Sequence, residues 1–289
     1  MKRLTKHKWP LIFVSANIIL FVIFFLTPAI LGVYYSFTNS KGYPGETFIG
    51  LANYKELFQD KSFYKALSRT FLYTIYQVPL IYLLSLSVAL LLTNESVKGK
   101  VSAKVIFFLP WTVSGIIVGV MWRWLFGENF GFINYILEQI GQNPIAWFSE
   151  GNHALFVIVI AAAWGGTAFN MLIFMAALKN IPRSLYEAAD IDGANRRQKF
   201  RFITFPALKP TSFMVILLAT IGSMKEFVMV QSLTNGGPGT DNVFMVQYIY
   251  QTGFDKMRVG YASAASMVLF VILMVLALVQ LKFGGSPND

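Results

Sequence analysis

Two adjacent opposite charges, Lys225 and Glu226, follow Ser223 inside an apolar stretch, and an earlier apolar stretch carries Trp164-Gly165-Gly166-Thr167 with Phe169 and Asn170 close behind. A charge within a membrane costs about 2.5 to 3.5 kcal/mol on insertion scales, so each such group must meet a partner or a watery cavity. On a continuous helix Lys225 and Glu226 would point ~100° apart and need not pair with each other. Aromatic faces hold C–H patches, and amide, hydroxyl and carboxylate groups hold hydroxyls. Gly166, Phe169, Asn170, Ser223 and Glu226, with Lys225 nearby, are therefore expected to line a path for a polar solute. The competing role for Asn170 and Ser223 is a bond to backbone or to a neighbouring helix, which is common in membrane bundles. For Gly115-x3-Gly119 and Ala161-x3-Gly165 close helix packing is the favoured role.

Other chemistry is excluded. There is no cysteine, so thiol catalysis, disulfides and Cys-ligated metals are out. His7 and His153 are far apart in the chain, which leaves neither a histidine metal site nor a histidine-centred triad. Gly99-Lys100 lacks the earlier glycine and the following Ser or Thr of a phosphate-cradling loop, so no cofactor-binding site is expected in this chain. No catalytic residue is expected, and the chain is read as a non-enzyme.

The elements that must position the polar groups follow from composition. The 289 residues are 55% hydrophobic and 13% charged, with a formal charge of +10. That leaves too little polar surface to coat a soluble globule. Apolar segments fall at about 11–36, 71–92, 105–126, 154–178, 208–230 and 263–283, each long enough to cross a bilayer as a helix. Lipid offers no partners for backbone amides, which makes helices the required form. The fold class is all-α: one polytopic membrane domain over 1–289, with six transmembrane helices and a core region at about 67–283. With both termini in the cytoplasm, the inner segments hold 15 Lys and Arg and the outer ones 7, as the positive-inside rule asks. From Asn53 to Leu67 the apolar residues recur at helical spacing with lysines between, which suits one interfacial helix against membrane lipid. The dispersed basic residues do not make a nucleic-acid footprint.

The loop at 183–206 is basic and has fixed punctuation: Glu187-Ala188-Ala189, then Asp192-Gly193, then Ile203 and Phe205-Pro206. Ser184 and Glu187 have capping-box spacing, and Gly193 suits the left-handed position after a helix. A short helix, a sharp turn and a second basic segment would form a compact knob. The spacing EAA-x3-G-x9-I-x-F-P resembles the signature loop of the membrane permeases of binding-protein-dependent ABC importers. Ser232-Leu233-Thr234-Asn235-Gly236-Gly237-Pro238, Tyr248-Ile249-Tyr250, Phe254 and Gly260-Tyr261-Ala262-Ser263-Ala264 are similar to the carbohydrate-type branch of maltose- and glycerol-phosphate-type permeases, as are Asn53-Tyr54, Leu109-Pro110 and Trp122.

The resemblance implies a permease subunit in the cell membrane, forming half of a translocation path for a carbohydrate, with an oligosaccharide favoured. It implies a second homologous permease subunit as a heterodimer partner, two cytoplasmic ATPase subunits and an extracytoplasmic sugar-binding protein. ATP and Mg would be bound by the partner ATPase. Glu187, Ala188, Ala189, Asp192, Gly193 and Pro206 would couple to that ATPase, and the solute path between the fourth and fifth spans would carry sugar. The alternative is an ion-coupled secondary transporter of a small polar solute using Glu226, which six spans without a visible inverted repeat fit poorly.

Overall fold

The structure is a computed structural model that describes residues 8–94 and 98–283. Most described residues are helical, and the isolated bridge between Thr38 and Phe48 is the one β-type pairing among them. The described residues form two compact units, the first 8–63 with Tyr248–Ile272, the second within Tyr64–Gln247 with 273–283.

The first unit begins with α1 (Lys8–Phe21), a π turn (Val22–Leu26) and α2 (Thr27–Ser36). These run on as one apolar rod from Phe13 to Ser36, exposed along nearly its whole length. An all-round apolar helix left exposed over most of its length suits a lipid surround. After α3 (Ala52–Leu57) the chain turns and starts α4 (Lys61–Thr93). The expected interfacial helix over 53–67 is thus two pieces. Asp60 supplies the reason: its Oδ1 accepts the Ser62 N–H at 2.7 Å, which begins a new helix there. Its Oδ2 accepts the hydroxyls of Tyr248 (2.6 Å) and Tyr261 (3.1 Å). Burial works against the Asp60 carboxylate, yet the Tyr248 hydroxyl, the Ser62 N–H and the Tyr261 hydroxyl together hold its pKa below the ordinary value.

The second unit holds the rest of α4, then α5 (Lys100–Thr112), α6 (Gly115–Leu125), α7 (Phe132–Gln139), α8 (Gly151–Lys179), α9 (Arg183–Ile191), α10 (Arg196–Lys199), α11 (Phe205–Ala207), α12 (Lys209–Met224) and α13 (Val228–Leu233). α8 is central: α5, α6, α12 and α13 all pack on it. Its Val157, Ile158, Ala161, Ala168, Met171 and Phe174 are fully buried. The remaining helices are α14 (Met245–Tyr250) and α15 (Val259–Phe283).

Four helices are long and apolar enough to cross a membrane, and bent pairs supply two further spans when each pair counts as one. The third expected span is such a pair, because α5 and α6 meet at 100° across Val113–Ser114. Both residues are extended (ψ 137° and 134°), consistent with β-branched Val113 following Pro110 by less than a turn. The fifth expected span is also broken. α12 stops at Met224, three residues follow without helix, and α13 resumes at Val228. Lys225 and Glu226 therefore sit at a break rather than on one continuous helix.

Candidate functional site

A cavity of about 540 Å³ opens within the second unit, lined from α4, α5, α6, α8, α12, the 225–227 break and α13. α8 contributes Gly165, Gly166, Phe169 and Asn170, and α12 contributes Gly222 and Ser223. At Gly166 the Ile81 side chain of α4 comes close, since a β-carbon there would lie 2.9 Å from it. Asn170 donates from Nδ2 to the Gly166 carbonyl at 2.8 Å, while its Oδ1 is buried without a partner. Such an acceptor costs free energy until a donor reaches it. Phe169 stacks on Trp111 of α5 at 4.9 Å and 22°, so the cavity has one flat apolar wall. Glu226 lies at the break, where its Oε1 accepts the Met229 N–H at 2.9 Å and so starts α13.

Five of the six expected path residues, Gly166, Phe169, Asn170, Ser223 and Glu226, are thus brought to one cavity. Lys225 is not: it is exposed and absent from the lining. It sits in the helix break, between Ser223 and Glu226, which do line the cavity. Tyr73, Gln77 and Trp111 line the cavity without having been singled out. A lone amide in the second apolar run was the available signal for Gln77. In the orientation that matches donors with acceptors, its amide bridges the Val159 carbonyl and the Ala163 N–H at 2.9 and 3.0 Å.

At one end of the unit the starts of α4 and α8 meet the 236–242 loop. Arg69 donates to Gly151 O (2.8 Å), to Asn152 Oδ1 (3.2 Å) and to Asn242 Oδ1 (3.1 Å), and Lys65 pairs with Asp241 at 2.8 Å. The Lys65 ammonium holds the Asp241 carboxyl below its usual range.

At the other end, where α4 and α8 finish, stands the knob. α9 runs from Arg183, with Pro182 before it and no side-chain cap, so the expected Ser184–Glu187 capping box is absent: Ser184 already lies within the helix. Its end is as expected. Gly193 has φ +72°, its N–H donates to Asp190 O, and Ala194 N–H donates to Ala189 O, the paired bonds of a Schellman turn. The capping box lies one helix later, between Asn195 and Gln198. Tyr186 and Thr204 hydroxyls bond at 2.8 Å, and Lys199 pairs with Asp190, which fixes the two halves of the knob together. Glu187, Ala188, Asp192, Gly193 and Pro206 are exposed and Ala189 is half-buried. Ile191 projects from the end of α9 at 87% exposure, an apolar contact group that spacing did not reveal.

Residues 48–282 match the binding-protein-dependent transport system inner membrane component family. The chain belongs to that family. It is 36% identical over 285 residues to the arabinooligosaccharides transport system permease protein AraP of Bacillus subtilis (strain 168), covering 98% of this chain and 90% of that one. To the sn-glycerol-3-phosphate transport system permease protein UgpA of Agrobacterium fabrum it is 34% identical, covering 95% and 94%. To the trehalose/maltose transport system permease protein MalF of Thermococcus litoralis it is 36% identical, covering 85% and 83%. These are the carbohydrate-type permeases that the sequence motifs resemble, and the chain is a permease subunit rather than an enzyme. In fold it is similar to a bacterial ABC transporter involved in the import of the acidic polysaccharide alginate, with a TM-score of 0.87 at 23% identity over 100% of this chain and 99% of that one. A second structure of a bacterial alginate transporter, in complex with an alginate pentasaccharide-bound periplasmic protein, matches with a TM-score of 0.84 at 24% identity over 96% and 94%.

Proposed function

We propose that this permease forms half of the translocation path of an ATP-driven carbohydrate importer, with an oligosaccharide as cargo. The observation that carries it is the cavity between α8 and α12, which joins a stacked Trp111–Phe169 wall to the unpaired Asn170 Oδ1 and the Glu226 carboxylate. Aromatic faces suit sugar C–H surfaces, and the acceptors suit sugar hydroxyls. A second homologous permease completes the path, and an extracytoplasmic binding protein delivers the cargo, the kind of partner held by the alginate transporter of similar fold. Both termini face the cytoplasm, which the charge bias supports.

The knob docks the ATPase. Its Schellman turn, its internal ion pair and its exposed Ile191 make a rigid body with an apolar contact point. Two ATPase subunits bind ATP and Mg, and their closure moves the paired knobs and turns the cavity outward, an exchange between two states with different contacts. This chain holds no nucleotide in that scheme; it positions and transmits.

Transport rate with the binding protein saturated tests the path. Loss of one hydrogen bond to a sugar hydroxyl costs ~0.5 to 1.5 kcal/mol, and more for a charged acceptor. Asn170→Ala is expected to slow transport about 2- to 10-fold, and Glu226→Gln at least as much. Wild-type rates for both variants in an assembled complex would place the path elsewhere.

A further inference from the structure

The charge composition of this chain's half of the proposed path bears on its cargo. Among the side chains that line the cavity, Glu226 alone carries a formal charge. The adjacent Lys225 is exposed and outside the lining. Asn170 Oδ1 is buried and unpaired and the Glu226 carboxylate is an acceptor, while the Trp111 indole N–H and the Ser223 hydroxyl in the same lining can donate. The Gln77 amide is occupied by the backbone of α8. A neutral glycan brings hydroxyl donors to these acceptors and C–H faces to the Trp111–Phe169 wall. A carboxylate or phosphate brings a charge that meets no cation from this chain's lining, which is the costly way to bury it. It also meets the like charge of Glu226.

We infer, resting on the cavity being the sugar path, that it accepts uncharged glycans and rejects those bearing carboxylate or phosphate groups, with Glu226 as the specificity-determining residue. The relatives include systems named for both neutral and anionic cargo, so family membership leaves this choice open.

The test is equilibrium binding of trisaccharides to the full chain, assembled with its second permease in nanodiscs and without the binding protein. The probes are maltotriose and arabinotriose as neutral ligands and trigalacturonate as the acidic one. Wild type is expected to favour the better neutral probe by about 10- to 100-fold, the range for like charges several ångströms apart at intermediate dielectric. Glu226→Gln is expected to narrow that ratio several-fold. Gly222→Lys adds a cation to the lining at a position where a β-carbon meets nothing within 4 Å, and it is expected to strengthen trigalacturonate binding. This gain cannot come from misfolding. Equal wild-type binding of neutral and acidic probes, or a ratio unmoved by both substitutions, would overturn the selectivity. Trp111→Ala separates the two readings. If it abolishes binding while the probes compete equally, the path stands and the selectivity falls; if neutral binding survives it unchanged, or no probe binds wild type, both fall.

Discussion

Gly193 shows how one residue shapes the knob. Its φ of +72° lies in the left-handed region, and a β-carbon there would meet nothing within 4 Å, so a substitution is opposed by backbone conformation and not by crowding of the β-carbon. A β-branched residue should cost about 1 to 2 kcal/mol, whereas asparagine tolerates that region. Gly193→Val is therefore expected to reduce ATPase copurification and uptake several-fold with membrane insertion intact, and Gly193→Asn to retain most of both. Equal behaviour of the two variants would detach the turn from docking. Glu226 makes a different residue-scale point: one oxygen starts α13 while the side chain borders the cavity, so its replacement disturbs a helix start as well as a wall.

At the scale of elements, the packing of α6 on α13 depends on glycine. A β-carbon on Gly119 would fall 1.8 Å from Ser232 Oγ and 2.6 Å from Ser232 Cβ, and one on Gly115 would fall 3.0 Å from a Val228 methyl. The small-residue spacing thus serves close helix approach, as in membrane bundles generally. Gly119→Ala should lower the thermal midpoint of the detergent-solubilised chain by an overpacking cost of about 1 to 3 kcal/mol. Adding Ser232→Gly removes both clashing atoms and should restore most of the loss. Intrinsic tryptophan fluorescence during melting reads both, and a double variant no better than the single would refute this packing account. The breaks at Val113–Ser114 and 225–227 belong to the same scale, because they bring Trp111 and Glu226 to the cavity that α8 and α12 border.

For the whole molecule the question is sidedness. The absence of cysteine makes labelling clean, since every introduced thiol is unique. With both termini inside, Lys41→Cys, Asn143→Cys and Thr240→Cys should react with an impermeant maleimide on sealed cells, and Arg197→Cys only after permeabilisation. All four positions are exposed. Labelling of Arg197→Cys in sealed cells would invert the scheme and put the knob on the wrong side for an ATPase.

What was legible in the sequence is what short-range physics decides. Apolar run length and basic flanks set which segments enter a bilayer, and the runs at 154–178 and 263–283 became α8 and α15 with modest extension. The end of α9 was legible because a left-handed residue after a helix needs glycine, whatever surrounds it. Its start was not: Ser184 has the spacing of a cap, but the helix already begins at Arg183, one residue earlier, and so takes Ser184 into its first turn. Grouping Asn170, Ser223 and Glu226 required only that polar groups in apolar runs face a partner or a watery cavity. Tertiary structure alone decided that Trp111 completes the aromatic wall, that Gln77 is consumed by the α8 backbone, and that Lys225 is exposed outside the lining. Each of these depends on where a helix breaks and which neighbour then covers it, and such contacts between distant segments leave no local pattern in the chain.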